Sequence, residues 1–314
     1  MVLAGDIGGT NCRYALFDGK ELHHIRIWPT SQSRGVADDL KRYQEDVLSK
    51  DPSLSFVRAC VAIAGPVSGD RVSLTNADWS GALSDFPCPA VWVNDLVAAA
   101  QGLDIAQSQQ IWGPKSTGVH RVALGVGTGF GQALRVRDDV FPAEGGHASY
   151  APNTKEEQEL LMFLSQHFDR VRVEDVCSGT GMNNIRRFLE CKYSIELDHS
   201  VPAGKLFGGG SDDPIVSQGL DLFLSSLASV IADTALRQLP NGGIWLCGGV
   251  AKKMLSHYSR PSFLQSLQKK EPMNEPVALI PIFVVLEEEL GLMGAGYIAD
   301  QKRCGFQQKI VQQT

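Results

Sequence analysis

The chain has 314 residues, of which 43% are hydrophobic and 20% are charged, and its formal net charge at pH 7 is −6. This balance is typical of a folded globular protein and the length fits two domains, so the disordered and fibrous classes are excluded. Because the charge is negative and the basic residues are scattered, the composition also argues against general binding to nucleic acid or to an anionic membrane surface.

The first hundred residues predict one α/β unit. Three strands are expected before the first helix, and the Asp-Gly turn at residues 18–19 favours a hairpin between the second and the third. The next two strands are continuous apolar runs, as expected of strands buried on both faces. The predicted strands cover residues 2–4, 12–17, 22–28, 56–64 and 90–93, and the predicted helices cover residues 36–48 and 96–102.

A second α/β unit is predicted from about residue 121. It repeats the opening pattern of strand, glycine loop with threonine, and returning strand, which indicates two related halves. A long apolar helix is expected to begin at Pro214 after an Asp N-cap, and the glycine-rich residues 204–210 favour a mobile surface loop. The predicted strands cover residues 122–126, 132–136, 244–247 and 282–286, and the predicted helices cover residues 156–167, 214–239 and 290–299.

The lack of a recognisable targeting signal and the cysteine usage both predict a cytoplasmic protein. The chain begins MVLAGD, without the basic segment and apolar run of a secretion signal, and no later stretch is long enough to span a bilayer. The seven cysteines are odd in number, widely spaced and mostly within apolar runs, which is typical of buried thiols in a reducing compartment. We therefore expect neither disulfides nor a structural zinc site.

The most informative segment is the glycine-rich turn at residues 5–13, GDIGGTNCR. Gly8 and Gly9 let backbone N–H groups approach phosphate oxygens, because no side chain intervenes, and Thr10 can add a hydroxyl donor. Asp6 can hold a hydrated magnesium ion, since Mg²⁺ keeps several waters and uses few carboxylates. Taken alone, this segment fits a plain hairpin equally well.

A second glycine-threonine loop, LGVGTGFG at residues 124–131, favours nucleotide phosphates over two plain hairpins. It lies between two predicted strands, as the first loop does. The P-loop pattern GxxxxGK[ST] is absent from the chain, and the Rossmann pattern GxGxxG fails here because its last position would be Phe130. A third glycine pair, Gly248-Gly249, follows a predicted buried strand and can seat a flat adenine or ribose against the backbone.

In their order along the chain, these segments resemble the sugar kinase–Hsp70–actin superfamily and, within it, the bacterial glucokinase family. The resemblance runs from residue 3 to about residue 299 and includes residues 64–69 and 74–79, which are similar to family segments at the sugar site. The chain lacks the cysteine-rich zinc motif of a related branch, and residues 287–289 are acidic where relatives often have Asn-Pro. The resemblance implies an α/β, two-lobed actin-like ATPase (ribonuclease H-like) fold with a ligand cleft between the lobes.

The resemblance also implies a role for each candidate residue. Asp95 would be the general base that accepts the proton of the sugar 6-hydroxyl. From its surroundings alone, a role as helix N-cap explains Asp95 nearly as well. Glu174 could alternatively be a solvated carboxylate at a helix start. The implied sugar-binding residues are Asn76, Asn94, Asp95, Glu144, His147 and Glu174. The implied nucleotide-binding residues are Asp6, Gly8, Gly9, Thr10, Asn11, Gly127, Thr128, Gly129, Gly248 and Gly249, with Asp6 holding the metal through water.

The expected activity is phosphorylation of D-glucose at the 6-hydroxyl by ATP and Mg²⁺, a step of glycolysis. Mannose, fructose or glucosamine as acceptor, and ADP or polyphosphate as donor, stay open. A sugar-responsive transcription regulator is the main rival, but the phosphate motif at residue 5 leaves no room for an N-terminal helix-turn-helix. A chaperone-like ATPase gives no reason for Glu144-Gly-Gly-His147.

The expected domain organisation is a small α/β domain of residues 1–105, completed by a C-terminal helix over residues 296–314, and a large α/β domain of residues 106–295. Closure of the two lobes over the sugar would exclude water, which is a competing phosphoryl acceptor. Sugar and nucleotide are the expected partners, and the family resemblance implies a homodimer.

Overall fold

The computed structural model describes residues 1–65, 67, 69–74, 78–116, 118–210 and 212–301. The chain divides into two compact units. Unit 1 consists of residues 1–106, residues 138–142 and the segment from residue 289 onward, whereas unit 2 consists of residues 107–137 and 143–288. Residues 302–314 of the predicted C-terminal helix lie outside the described residues.

The predicted strands and the predicted helices are present in the described chain with small differences at their ends. In chain order the strands are β1 (Val2–Ile7), β2 (Asn11–Phe17), β3 (Leu22–Pro29), β4 (Ala59–Ile63), β5 (Arg71–Ser73), β6 (Ser80–Ala82), β7 (Ala90–Asn94), β8 (Ser108–Trp112), β9 (His120–Val126), β10 (Phe130–Val136), β11 (Asp139–Ala143), β12 (Ile244–Cys247) and β13 (Ile282–Val285). The α-helices are α1 (Val36–Tyr43), α2 (Asp95–Gly102), α3 (Lys155–Leu164), α4 (Gly179–Tyr193), α5 (Ala203–Gly208), α6 (Pro214–Gln238), α7 (Gly249–Lys253), α8 (Pro261–Gln268), α9 (Asn274–Ala278) and α10 (Leu290–Asp300). The structure thus adds strands β5, β6, β8 and β11 and helices α4, α5, α7, α8 and α9.

The main sheet of unit 1 has the order β3-β2-β1-β4-β7. β2 is antiparallel to β1 and β3, whereas β1, β4 and β7 are parallel to one another. Ile7 pairs with Ile63, and Ile63 pairs with Asn94, so these three parallel strands end at the same level. The segments that follow them, including residues 8–10 and Asp95, therefore share the carboxyl edge of the sheet, where open α/β sheets bind ligands.

The sheet of unit 2 repeats this arrangement. β10 is antiparallel to β9, and β9, β12 and β13 are parallel. Cys247 at the end of β12 pairs with Gly125 near the end of β9, which puts residues 127–129 and the pair Gly248-Gly249 at one carboxyl edge. The repeat of strand, glycine turn and returning strand in the sequence thus corresponds to a repeat in topology.

Helix α6 lies in the core of unit 2. Its N-cap is Asp213, whose carboxylate accepts hydrogen bonds from the N–H groups of Ile215 and Val216, with Pro214 at the first helical position. Contrary to the sequence prediction, this helix is long and apolar enough to cross a membrane by length and composition. However, 72% of its most apolar 18-residue window is buried, as in the core helix of a globular unit.

One local prediction is wrong. Residues 204–210 do not form a loop, because residues 203–208 form helix α5. Phe207 is buried in the core of unit 2, and its ring occupies the space that a Cβ on Gly219 of α6 would need. Burial of this aromatic side chain provides a hydrophobic contact that stabilises the helix despite its glycines.

Candidate functional site

The first glycine loop joins β1 to β2 at the carboxyl edge of unit 1. The N–H of Gly8 donates to the carbonyl of Asn11 at 2.9 Å and closes the turn. Asp6 on β1 pairs across the strands with Arg13 on β2, and their side chains form an ion pair at 3.1 Å. The Asp6 side chain is only 15% exposed. Burial raises the pKa of the Asp6 carboxyl, whereas the charge and hydrogen bond of Arg13 lower it, and burial has the larger effect.

Asp95 is the first residue of α2, and the helix is capped by its neighbour. The side-chain oxygen of Asn94 accepts hydrogen bonds from the N–H groups of Leu96 and Val97, at 3.0 and 3.3 Å. The Asp95 carboxylate also accepts from the Leu96 N–H at 2.8 Å. Because Asn94 is the N-cap, the interpretation of Asp95 as the capping residue is wrong. The amide of Asn94 donates to the carbonyl of Gly65 at 3.3 Å, which ties it to the segment after β4.

The second glycine loop, between β9 and β10, is held by the N-terminus of α4. The N–H of Gly179 donates to the carbonyl of Gly127 at 2.8 Å, and the N–H of Thr180 donates to that of Thr128 at 3.1 Å. The Thr180 hydroxyl donates to the same Thr128 carbonyl at 3.0 Å.

These contacts orient the N–H groups of the second loop. In a planar trans peptide the N–H points away from the carbonyl of the same peptide unit. The N–H groups of Thr128 and Gly129 are therefore directed away from α4, and within the described residues neither forms a hydrogen bond. Two adjacent N–H donors of this kind can bind an anion.

The glycines at these edges are of two kinds. Gly248 has φ +96°, and an added Cβ would lie 2.8 Å from the Val126 carbonyl oxygen, so the fold itself requires glycine there. Gly9, Gly127 and Gly249 have no such φ, and an added Cβ at any of them would have no atom of the described chain within 4 Å. The packing of the described chain therefore does not require glycine at these three positions, and the open space beside them would let a ligand approach the backbone closely.

Glu144, His147 and Glu174 form a connected group in unit 2. His147 Nδ1 lies 3.1 Å from Glu144 Oε2, and His147 Nε2 lies 3.6 Å from Glu174 Oε1. Glu144 and His147 are exposed, at 84% and 51% of the side chain, whereas Glu174 is 20% exposed. Glu174 Oε2 also accepts from the N–H of Phe130 at 3.5 Å, so this carboxylate borders the second glycine loop as well.

The two glycines between Glu144 and His147 hold this group in place. Residues 145–147 form a single 3₁₀ turn. An added Cβ on Gly146 would overlap the Phe130 carbonyl oxygen, and one on Gly145 would overlap the side chain of Gln132. The backbone of the turn therefore packs directly on β10, which leaves the side chains of Glu144 and His147 free to project into solvent.

Arg172 is a residue of this group that the sequence did not indicate. Its guanidinium contacts Glu174 Oε1 at 2.6 Å and binds both oxygens of Asp175, at 2.7 and 3.0 Å. Hydrogen bonding to Asp175 raises the pKa of Arg172, so the guanidinium is a permanent cation beside Glu174. The description of Glu174 as a merely solvated carboxylate is therefore wrong.

The predicted site residues fall into two sets. The structure brings Asp6, the loop at residues 8–11, Asn94 and Asp95 to one edge of unit 1, and it brings the loop at residues 127–129, Gly248, Gly249, Glu144, His147 and Glu174 together in unit 2. Asn76 lies outside the described residues. Thr180 was also missed, and the signal that could have found it is Ser178, a good N-cap residue followed by Gly-Thr-Gly.

The metal-binding capacity of the described residues is limited. They contain no group of three His, Cys, Asp or Glu side chains that could hold a metal ion. One carboxylate, Asp6, stands beside a glycine loop with open space above Gly9. This donor set does not fit a metal held by the protein alone, but it fits Mg²⁺ bound mainly by phosphates and water.

The arrangement suits two kinds of ligand. Unpaired backbone N–H groups beside glycines can bind phosphate oxygens, as in other glycine-rich anion sites. Exposed carboxylates and an imidazole can exchange hydrogen bonds with several hydroxyl groups of one polar molecule.

Comparisons with known proteins identify relatives over nearly the whole chain. The family model described as glucokinase matches residues 3–302. The glucokinase of Hahella chejuensis is 32% identical over 309 residues, which cover 93% of this chain and 95% of that protein. The glucokinase of Trichormus variabilis is 32% identical over 340 residues, which cover 95% of this chain and 98% of that protein.

Solved glucokinase structures also superpose on this chain. A glucokinase from an Antarctic psychrotroph superposes with a TM-score of 0.81 at 27% identity, covering 95% of this chain and 98% of that one. A ROK family glucokinase from Streptomyces griseus, solved with glucose and AMPPNP, superposes with a TM-score of 0.62 at 17% identity, with 96% and 99% covered. The predicted α/β fold of the actin-like ATPase class is confirmed.

Proposed function

The chain belongs to the glucokinase family, and we propose that it transfers the γ-phosphoryl group of ATP to the 6-hydroxyl of D-glucose, giving glucose 6-phosphate and ADP. The observation that carries the proposal is the second glycine loop. Within the described residues the N–H groups of Thr128 and Gly129 have no hydrogen-bond partner, and the open space beside Gly127 would let a phosphate approach them. The likeness to a structure solved with AMPPNP supports ATP as the nucleotide.

The sugar is assigned to the carboxylates and the imidazole. Glu144 and Glu174 would accept hydrogen bonds from sugar hydroxyls, and His147 can either donate or accept according to its tautomer. Asn94 has one amide hydrogen beyond the bond to Gly65, and that hydrogen is assigned to the sugar. Asn76 keeps its predicted role at the sugar.

The base is assigned to Asp95. Asn94 takes the N-cap position of α2, and the Asp95 carboxylate has a second oxygen beyond the one that accepts from the Leu96 N–H. A carboxylate within hydrogen-bond reach of the sugar hydroxyl can accept its proton. Asp95 would take the proton of the 6-hydroxyl as the oxygen forms its bond to phosphorus and ADP leaves. Phosphoryl transfer needs little more from the protein than positioning and charge neutralisation.

The nucleotide is assigned to both glycine loops and to Gly248-Gly249, and the first loop contributes Gly8, Gly9, Thr10 and Asn11. Mg²⁺, when bound, neutralises charge on the transferred phosphates. Asp6 would hold a water of that ion, and its partner Arg13 keeps the buried carboxylate oriented. We expect a homodimer, as the family resemblance implies, and a cytoplasmic location, as the cysteine usage predicts.

A panel of acceptors and donors tests the function. We expect ATP with glucose to give the highest kcat/KM, above mannose, fructose and glucosamine, and above ADP or polyphosphate as donor. A higher value for another hexose would move the assignment to that sugar. Sugar binding without ADP release from any hexose would instead favour a sugar-responsive regulator.

Substitution of Asp95 tests the base. Asp95→Asn is expected to lower kcat by about 10²–10⁴-fold, the usual contribution of a general base, and to retain glucose binding measured by calorimetry. Asp213→Asn is the matched control, since it makes the same change at the start of α6 and asparagine is also a good cap. A kcat of Asp95→Asn close to that of the control would remove Asp95 from the base role.

A further inference from the structure

Thr30 contacts the first glycine loop from the interior of unit 1. It follows the last residue of β3, and it is only 1% exposed. Its hydroxyl donates to the carbonyl oxygen of Gly8 at 2.7 Å, and its N–H donates to the carbonyl oxygen of Thr10 at 2.9 Å. One buried residue thus holds carbonyl groups on both sides of Gly9.

A third contact agrees with the direction of the hydroxyl bond. Cys12 Sγ lies 3.6 Å from the Thr30 hydroxyl oxygen. Burial, assisted by the nearby Asp39 charge, raises the pKa of the Cys12 thiol to about 12, so the thiol stays protonated at neutral pH. The thiol donates to the hydroxyl oxygen, and the hydroxyl hydrogen is left for the Gly8 carbonyl, which can only accept.

The contact with Gly8 determines where the next N–H points. The Gly8 carbonyl and the Gly9 N–H belong to one planar peptide unit and point in opposite directions. With the carbonyl held by Thr30, the Gly9 N–H is directed away from the interior, and within the described part of the chain it has no hydrogen-bond partner. Residues 127–129 of unit 2 are held in the same way, there by the N-terminus of α4.

We propose that Thr30 is a positioning residue for the nucleotide: it turns the Gly9 N–H toward the phosphates without contacting them. The inference rests on the proposed function, because it assumes that the first glycine loop binds phosphate. Thr30 contacts the Gly8 and Thr10 carbonyls of the first glycine loop. Loss of the Thr30 hydroxyl should therefore weaken nucleotide binding and leave sugar binding unaffected.

Three variants test this inference. Thr30→Val keeps the side-chain shape and removes the hydroxyl, whereas Thr30→Ser keeps the hydroxyl. Thr234→Val is the matched control, since Thr234 is a buried threonine whose hydroxyl donates to a carbonyl within α6 of unit 2. We expect Thr30→Val to raise the Kd for AMPPNP, measured by calorimetry, and the KM for ATP about tenfold. The KM for glucose should stay within twofold, and both other variants should match the wild type.

The outcomes separate this inference from the proposed function. An AMPPNP Kd for Thr30→Val equal to that of Thr234→Val would overturn the positioning role, as would equal rises in the KM for ATP and for glucose. If Thr30→Val does not fold, Thr30→Ala gives the same comparison without placing a methyl group beside the Gly8 carbonyl. A wild-type chain that binds AMPPNP but phosphorylates no hexose would contradict the proposed function, while the AMPPNP comparison would still decide the role of Thr30.

Discussion

Two glycines in unit 2 should respond to alanine in opposite ways. At Gly127 the added methyl group would have no atom of the described residues within 4 Å, and the backbone has no left-handed φ, so the fold accepts it. Alanine restricts the unfolded chain more than glycine does, which stabilises a compatible position by about 0.4–1 kcal/mol. We therefore expect Gly127→Ala to unfold at the wild-type temperature or slightly above it.

At Gly248 the same change should destabilise the fold. At φ +96° and ψ 163° the backbone of Gly248 lies in a region that is essentially restricted to glycine, and a side chain there costs about 1–3 kcal/mol. The Cβ would also lie 2.8 Å from the Val126 carbonyl oxygen, which adds a clash with backbone. Gly248→Ala should therefore lower the free energy of unfolding by at least this amount.

Gly127→Ala should weaken nucleotide binding although it does not destabilise the fold. If the phosphate occupies the open space beside Gly127, a methyl group there would interfere with its charge-assisted hydrogen bond, worth about 1.5–3 kcal/mol. The Kd for AMPPNP should rise by about 10-fold or more, while thermal unfolding without ligand stays unchanged. Normal AMPPNP binding by a stable Gly127→Ala chain would refute the assignment of this loop to phosphate.

Two further predictions concern charged residues. Arg172→Met should raise the KM for glucose several-fold and leave the KM for ATP nearly unchanged, because Glu174 loses the guanidinium that holds it; equal effects on both would contradict this. Asp6→Asn should abolish turnover yet unfold at a higher temperature than the wild type at pH 7, by calorimetry. Burial raises the pKa of Asp6 above its ordinary value of 3.8. Protonated Asp6 therefore adds to the stability of the fold below pH 3.8, and this contribution is lost as the pH rises through the folded-state pKa. The stability gain of Asp6→Asn should therefore vanish near pH 3, and a constant gain would refute the reasoning.

The elements that the sequence predicted well carry strong local signals. The strand at residues 244–247 and the start of the helix at Pro214 match the structure, because an apolar run before Gly-Gly and an Asp-Pro start are read within a few residues. Residues 204–210 failed for the opposite reason. Their glycines suggested a loop, and the burial of Phe207 depends on a residue of α6 that is distant along the chain.

The candidate site was likewise predictable only where its signals are local in the sequence. Both glycine loops were found from composition and spacing, but their supports were not. Thr30 is 22 residues from Gly8, and Thr180 is 52 residues from Thr128, so neither contact has a local pattern. Asn94 and Asp95 are both good N-cap residues, and only the hydrogen bonds of the folded chain show that Asn94 takes this position.

The way in which the two glycine loops are held has an energetic consequence. Their outward N–H dipoles are fixed by contacts on the interior side, at Thr30 in one unit and at α4 in the other. The work of aligning these dipoles is therefore done when the chain folds, and it is not repeated at each round of catalysis. Such preorganised donors stabilise charge as it develops without reorganisation of their surroundings, which bulk water cannot do.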